Sequence, residues 1–163
     1  QCGGDEAAAA RIVTRPGTSE HQLGLCADIT DKFYEVKTRE LEKTALFQWM
    51  YAHCQEYGFI LRYPADKESV TGVMYEPWHF RYVGAPHAQL METNGLCLEE
   101  YRDFLRQGPR SVALENGRMA QVFYVPAAGA VTEVQVPEGC CQISGDNVEG
   151  FILTWWGDTH ENG

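Results

Sequence analysis

Residues 19–29 read SEHQLGLCADI, and this stretch places a histidine and an aspartate on either side of a glycine. From position 25 to position 29, aliphatic residues alternate with Cys26 and Asp28, which is the two-residue period of a β-strand. The alternation puts Asp28 on the face opposite the aliphatic side chains. Because Gly24 permits a tight turn, His21 on the preceding loop and Asp28 on the strand can converge.

The following residues predict a helix and two more strands. Thr38 is a suitable N-cap for a helix that runs to about Tyr57. Gly58 is the residue type that commonly ends a helix in the left-handed conformation. Residues 59–63 and 73–83 have the composition of strands, with a polar turn region between them.

Within the first helix, apolar residues recur at helical spacing. Leu41, Ala45 and Trp49 form one column, and Leu46 and Met50 form the next. The two columns predict one broad apolar stripe facing the core.

The last third of the chain changes character. A short helix beginning near Pro86 and ending near residues 94–95 is expected, followed by an amphipathic helix over residues 98–106. After Gly108 helical patterns stop, and short β-rich runs are separated by Gly, Pro, Asn and Asp. These runs are residues 122–125, 131–136 and 151–155. They predict a small β-rich extension.

Bulk composition limits the possible functions. The chain has 163 residues, of which 44% are hydrophobic, enough for one compact domain and a small appendage. The net charge of -10 repels phosphate backbones, so we expect no nucleic-acid partner. No apolar run is long enough to span a bilayer, and no export signal is visible. The number of subunits stays open.

The six cysteines do not indicate a disulfide framework or a zinc site. None forms a C-x-x-C pair, and only Cys140 and Cys141 are neighbours, which rarely bridge each other. We expect mostly free, buried thiols. Trp155 and Trp156 also stand together in the β-rich extension, where core packing is favoured over a sugar-stacking role.

Two segments together supply the groups of a catalytic metal site. His21, Asp28 and His79 can provide three zinc ligands and leave a fourth position for water. Glu76, three residues before His79, is a candidate base for that water. On a regular strand these two residues would point to opposite faces, so we expect a bend at Pro77, which cannot donate to a ladder.

These motifs resemble a known family. The pattern S-x-H-x-x-G-x-x-x-D, followed by EPWHFRYVG at residues 76–84, is similar to the VanY-type D-alanyl-D-alanine carboxypeptidases of the LAS group of zinc metallopeptidases. The phrases RPGTSEH at 15–21 and GFILRYP at 58–64 add to the likeness, which covers roughly residues 5–106.

The resemblance implies an α+β fold in which a small antiparallel sheet with flanking helices carries a zinc site. The zinc carboxypeptidase domain would be residues 1–108, incomplete at its N-terminus, with residues 109–163 as a small β-rich C-terminal extension. The implied function is zinc-dependent removal of C-terminal D-alanine from peptidoglycan stem peptides. That substrate implies a secreted or cell-envelope location.

The resemblance also assigns site residues. One Zn²⁺ ion would be held by His21, Asp28 and His79, and Glu76 would be the catalytic base. Ser19 and Tyr63 occupy positions that help bind the terminal residue of the substrate in relatives.

Three alternatives stay open. An L,D-carboxypeptidase or a D-Ala-D-Ala dipeptidase of the same group would differ in the pocket walls. A non-catalytic domain that retains zinc and binds cell-wall peptide is the third.

The chain departs from the family pattern at two points. Relatives carry an upstream arginine in an Arg-Ser motif that neither Arg11 nor Arg15 matches, and they more often have a small aliphatic residue at the position of Cys26.

Overall fold

The computed structural model describes residues 17–32, 37–114 and 117–157. The chain forms two compact units, residues 1–88 and residues 89–163. The alanine run over residues 5–11 predicts the end of a helix, but these residues lie outside the described part of the chain. Mixed helices and two small antiparallel sheets confirm the predicted α+β class. The predicted domain boundary after residue 108 stays a prediction.

A three-stranded antiparallel sheet organises the first unit. Its strands are β1 (Cys26–Asp28), β2 (Phe59–Leu61) and β3 (His79–Tyr82), in the order β1-β3-β2. Asp28 pairs with His79 across β1 and β3. Paired residues of antiparallel strands share a face, so these two side chains project from the same side of the sheet.

The opposite face of the sheet covers the core. Phe80, in the centre of β3, pairs with Ala27 on one side and Leu61 on the other. Phe80 packs with Leu41 and Phe47, and all three side chains are almost fully buried. One residue step along β3 therefore separates the apolar core from the polar face.

The prediction of one continuous helix over residues 38–57 is wrong, because this segment is divided into three helical pieces. A 3₁₀ turn at Arg39–Lys43, capped by Thr38, precedes helix α1 (Ala45–His53), and a second 3₁₀ turn spans Cys54–Tyr57. Thr44 has extended backbone angles, and its side chain accepts a hydrogen bond from the Phe47 amide. A threonine that can cap a new helix competes with continuing the old one.

The break at Thr44 changes which side chains reach the core. Phe47 is buried and Met50 packs on the same cluster, whereas Leu46 and Trp49 are about half exposed. The predicted stripe assumed one uninterrupted helical phase, and the 3₁₀ turn shifts that phase.

Gly58 ends this segment with φ +81°, as its residue type predicts. Its carbonyl accepts hydrogen bonds from the amides of Val83 and Gly84. A Cβ added at position 58 would lie 2.8 Å from the backbone nitrogen of Ala85 and from the side chain of Tyr82. The end of the helical segment and the end of β3 are thereby fastened at close range.

The strand predicted over residues 73–83 is shorter than expected. Helix α2 (Glu68–Thr71) precedes an irregular segment, and β3 begins only at His79. The amide of His79 donates to the Glu76 carbonyl at 3.2 Å, closing a turn around Pro77. The bend expected at this proline is present.

The second unit joins two helices to a four-stranded sheet. Its helices are α3 (Ala85–Asn94), which starts in the first unit, and α4 (Leu98–Arg106). The sheet contains β4 (Arg110–Ala113), β5 (Met119–Pro126), β6 (Cys140–Gly145) and β7 (Gly150–Gly157), in the order β4-β5-β7-β6. Both helices match the prediction closely.

The strand predictions here are mixed. The runs over residues 122–125 and 151–155 lie within β5 and β7, but residues 131–136 form no strand. Strands β4 and β6 were not predicted. All five described cysteines are free, and Cys140 and Cys141 are exposed rather than buried. Among the described residues, no helix has the length and apolar character needed to span a bilayer.

Candidate metal centre

The structure brings together the three predicted metal ligands. Asp28 Oδ1 lies 3.0 Å from His79 Nδ1 and 3.4 Å from His21 Nε2. The two imidazole rings meet edge to face with centroids 4.9 Å apart. One oxygen and two ring nitrogens therefore converge on one point.

Local structure explains how His21 reaches that point. It lies in a 3₁₀ turn, Glu20–Leu23, which Ser19 caps by accepting the amide of His21 at 3.4 Å. Gly24 ends the turn at φ +68° and so redirects the chain into β1. The turn places His21 over the polar face of the sheet, where the pairing of β1 with β3 has already set Asp28 beside His79.

The donor set fits a zinc ion. Asp28 Oδ1 is buried and, among the described residues, has no hydrogen-bond partner, even though two ring nitrogens are close to it. A buried carboxylate oxygen left in that state normally has a proton donor or a metal beside it. Two imidazoles and one carboxylate are an ordinary ligand set for catalytic zinc. The other oxygen of this carboxylate, Asp28 Oδ2, accepts a hydrogen bond from Lys37 Nζ.

Glu76 lies at the edge of this cluster. Its Oε2 is 3.4 Å from His79 Nδ1, and its side chain is 19% exposed, so it is accessible from the solvent side. The Glu76 amide donates to the carbonyl of Tyr63. The hydroxyl of Tyr51 donates to the Pro77 carbonyl at 3.0 Å. The turn that carries Glu76 is thus held on both sides.

Sequence reasoning missed Glu20. Its Oε1 lies 2.7 Å from His79 Nε2, the ring nitrogen that points away from the ligand cluster. Its Oε2 accepts hydrogen bonds from Arg81 at 2.6 Å and from Arg62 at 3.3 Å. The only signal in the sequence is that Glu20 directly precedes His21 in the motif.

The electrostatics of the pair follow from these contacts. Burial disfavours the charged form of Glu20, but the hydrogen bond from His79 and the charges of Arg62 and Arg81 outweigh it and lower the pKa of Glu20 to about 2. Burial likewise disfavours a charged His79, but its hydrogen bonds to Glu20 and Glu76 and the charge of Asp28 raise the pKa of His79 to about 9. Three carboxylates therefore lie close to the imidazole, and Arg62 and Arg81 offset the charge of Glu20.

The two predicted substrate-binding residues lie next to the cluster. The Tyr63 ring is buried with its centroid 5.0 Å from that of His79, and the Arg62 guanidinium lies 4.7 Å from the Tyr63 ring centre. Ser19 is half-buried at the start of the 3₁₀ turn. The predicted roles of both residues stay predictions.

Cys26 faces the site. It lies two residues before Asp28 on β1, and its sulfur lies within 4.8 Å of ligand atoms of both His21 and His79. Burial, followed by the charge of Glu20, raises the pKa of the Cys26 thiol. Together with His21 and His79, Cys26 forms a group that could hold a metal ion.

The residues of this site lie in a part of the chain that is similar to a known family. Residues 3–85, about half of the chain, match the VanY family, described as D-alanyl-D-alanine carboxypeptidase. The chain belongs to the VanY family. The matched region contains all of the side chains described above for this site, and the family resemblance seen in the motifs is confirmed.

Individual relatives agree. A D-alanyl-D-alanine carboxypeptidase of Enterococcus faecium is 39% identical over 148 residues, which are 90% of this chain and 47% of the relative. The solved structure of the vancomycin resistance D,D-dipeptidase VanXYg, in complex with a D-Ala-D-Ala phosphinate analogue, superposes with a TM-score of 0.79 at 37% identity. The match covers 89% of this chain and 61% of the VanXYg chain.

A mutant of the D,D-pentapeptidase VanY from a VanB-type resistance cassette, solved in complex with Zn(II), has a TM-score of 0.50 at 47% identity. The match covers 58% of this chain and 51% of that VanY chain. The match covers only part of each of four curated relatives, between 31% and 56% of their length.

Proposed function

We propose that this chain carries the catalytic site of a zinc-dependent carboxypeptidase that removes C-terminal D-alanine from peptidoglycan stem peptides. One observation supports the proposal above all others, namely the convergence of His21 Nε2, Asp28 Oδ1 and His79 Nδ1 with Glu76 beside them. A module that only bound peptide would not need a carboxylate at the position of Glu76.

The proposed site holds one zinc ion through His21, Asp28 and His79. When bound, zinc supplies Lewis acidity, which acidifies a water molecule and polarises the scissile carbonyl. Glu76 accepts a proton from the attacking water and then gives it to the amine of the departing D-alanine. Its position at the cluster edge, 3.4 Å from His79, is suitable for both transfers.

Ser19 and Tyr63 are proposed to contact the C-terminal residue of the substrate. Ser19 caps the turn that carries one ligand, and the ring of Tyr63 packs beside another. Each residue therefore adjoins a different proposed ligand, Ser19 through the turn that carries His21 and Tyr63 through the ring of His79.

The names of relatives favour a D-alanyl substrate. VanXYg is named as a D,D-dipeptidase bound to a D-Ala-D-Ala analogue, and a VanYB structure contains D-alanine-D-alanine. Another relative, LdcB, is an L,D-carboxypeptidase described as recognising peptidoglycan. A peptidoglycan substrate would place the protein outside the cytoplasmic membrane, in the envelope or the medium.

A second candidate function is hydrolysis of free D-Ala-D-Ala. It is favoured by the TM-score of 0.79 with a D,D-dipeptidase, a match that covers 89% of this chain. The dipeptide contains the same scissile D-Ala–D-Ala bond, and only the pocket wall on its amino side would need to differ.

The test uses protein reconstituted with one equivalent of zinc and, in parallel, protein kept metal-free with a chelator. Each is incubated with tri-, tetra- and pentapeptide stems and with D-Ala-D-Ala, and released D-alanine is measured. Zinc-dependent release from the pentapeptide is the expected result. Release from the tetrapeptide alone, or from the dipeptide alone, assigns one of the other specificities.

Retention of stoichiometric zinc without release from any substrate would overturn the enzymatic proposal. Failure to retain zinc would overturn the metal site itself. Glu56→Gln is a control for the loss of a glutamate charge outside the site, because Glu56 is a half-buried glutamate of the same unit that pairs with His53 on the helical segment. This variant should release D-alanine at the rate of the unaltered protein.

A further inference from the structure

We propose that Glu20 is a positioning residue that fixes the ring of His79, by accepting its Nε2–H so that Nδ1 is presented to the metal. The inference rests on the proposed function, since it assigns a role toward the same zinc ion. It concerns a residue that neither the motif spacing nor the three-ligand set includes.

The contact geometry requires one orientation of the imidazole. Nε2 of His79 lies 2.7 Å from Glu20 Oε1, while Nδ1 lies 3.0 Å from Asp28 Oδ1 and 3.4 Å from Glu76. A neutral imidazole has one N–H donor and one lone-pair acceptor. In the neutral form that binds a metal, the carboxylate of Glu20 accepts the Nε2 proton, and the lone pair then belongs to Nδ1, which faces Asp28.

Burial makes this hydrogen bond matter. The side chain of His79 is 5% exposed and that of Glu20 is 14% exposed, so bulk water cannot readily replace either partner. A hydrogen bond to an ionised acceptor in such surroundings is stronger than one between neutral groups. Metal-ligating histidines generally depend on a partner of this kind for tautomer and orientation.

The carboxylate is itself held in place. Glu20 Oε2 accepts from Arg81, which is two residues beyond His79 on the same face of β3, and from Arg62, which follows β2. Arg62 also lies against the ring of Tyr63, and that ring packs on His79. The contacts close a ring around the imidazole, so Glu20 cannot rotate away without breaking two ion pairs.

The placement of Glu20 also links the two halves of the site. It is the residue next to His21 in the same 3₁₀ turn. The turn that provides one ligand therefore orients another ligand 59 residues later in the chain. Movement of this turn would disturb both imidazoles together.

The experiment compares four metal-free proteins: the unaltered chain, Glu20→Gln, Glu20→Ala and Glu56→Gln. Glu56→Gln is the matched control, because Glu56 Oε1 makes a similarly short contact, 2.6 Å, with His53 Nδ1 away from the site. Zinc affinity is measured by competition with a chromophoric chelator, and the thermal unfolding of each metal-free form is recorded beside it.

We expect Glu20→Ala to weaken zinc binding by about 10- to 100-fold, the usual effect of removing a partner of a ligating histidine. Glu20→Gln is nearly isosteric and keeps an oxygen acceptor but loses the charge, so its affinity should fall between that of Glu20→Ala and that of the unaltered protein. Glu56→Gln should bind zinc as the unaltered protein does.

A spectroscopic measurement separates positioning from simple stability. Long-range ¹⁵N–¹H correlation spectra of the zinc-loaded unaltered protein should show His79 protonated at Nε2 and metal-bound at Nδ1. In Glu20→Gln the Nε2–H resonance should broaden through faster exchange with water, whereas Glu56→Gln should leave it unchanged. Should Glu20→Ala fail to fold, Glu20→Gln carries the test by itself.

Two results would overturn the inference. One is zinc affinity in both Glu20 variants equal to that of Glu56→Gln, and the other is a zinc-loaded His79 bound through Nε2. Either could occur while the unaltered protein still retains zinc and releases D-alanine, which would leave the proposed function intact. Loss of zinc binding in the unaltered protein would instead overturn both proposals.

Discussion

The two sheets of this protein differ in the length of their strands and in the side chains that their faces carry. Strands of the first sheet are only three or four residues long, and one face is given to charged groups around the buried His79. In the second sheet, β5 and β7 pair over eight successive positions, and the buried side chains there include Ala120, Val122 and Leu153.

Different interactions therefore order the two sheets. A long antiparallel ladder with an apolar layer is stabilised by its backbone pairing and by burial of hydrophobic surface. Three short strands offer little of either, so the first sheet depends on its core side chains and on specific polar contacts. Phe80, one step from His79, anchors in the core the strand that carries the polar site.

The largest expected effect is on chemistry, in the first sheet. Glu76→Gln should lower zinc-dependent release of D-alanine by about 10²- to 10⁴-fold, the range typical of removing a general base. Zinc content should not change, because Glu76 is not among the three proposed ligands. Rates on the pentapeptide stem and elemental analysis check the two halves of this prediction. Full activity in Glu76→Gln would remove the base from the mechanism.

A pair of core truncations compares the two sheets directly. Phe80→Ala should cost about 3–5 kcal/mol of unfolding free energy and Leu153→Ala about 2–5 kcal/mol, because both side chains are almost fully buried. Native-state hydrogen exchange can locate each loss. Protection should fall at β3 in Phe80→Ala and at β5 and β7 in Leu153→Ala.

Equal loss of protection in both sheets from either truncation would contradict the division into two compact units. Thr44→Ser is a suitable control, because serine can still cap the helix that begins at Ala45. It should leave exchange in both sheets close to that of the unaltered protein.

A smaller effect is expected at the β6–β7 turn of the second sheet. Asp146 Oδ1 accepts the amides of Val148, Glu149 and Gly150, each at 2.9 Å. The slight burial of Asp146 opposes ionisation, but these bonds and one from Tyr124 lower the pKa of Asp146 to about 2. A depressed folded-state pKa stabilises the fold above the unfolded value of about 3.8 and loses that effect as pH falls through 2.

Asp146→Asn should therefore lower the unfolding free energy by about 1 kcal/mol or less at neutral pH, after allowance for the exposure of the group. The difference from the unaltered protein should shrink as pH falls from about 4 to about 2. Urea unfolding at several pH values measures it. A difference that grows on acidification would mean that the carboxylate does not stabilise the turn.

Sequence reasoning succeeded where one signal acted locally. The helix over residues 98–106 appears with its predicted bounds, because its amphipathic period is strong and Glu100 reaches back to the Cys97 amide. Gly58 ends its helical segment as predicted, since few other residues adopt φ +81°.

Failures arose where two signals competed or none existed. Thr44 favours a new N-cap over a continued helix, and no periodicity count weighs that choice. Strand β6 has every residue exposed and, among the described strands, pairs with β7 alone, so burial imposes no alternating pattern on its sequence. Residues 131–136 contain three valines, but they pair with no strand in the part of the chain that the structure describes.

The candidate site divides in the same way. His21, Asp28, Glu76 and His79 are recognisable because their spacing matches a metal chemistry, and the structure brings all four together. Glu20 could not be singled out from sequence. Which of 23 acidic residues meets the far nitrogen of His79 depends on how a short turn docks on a sheet.

Gly58 has a consequence at the level of the gene. Every single-base change in a glycine codon that alters the amino acid and does not stop translation introduces a side chain with a Cβ. At this position such an atom would collide with the start of α3 and with Tyr82. Position 58, where the helical segment meets the end of β3, therefore has no neutral one-step substitution. Divergence of this protein must proceed by changes elsewhere in the chain.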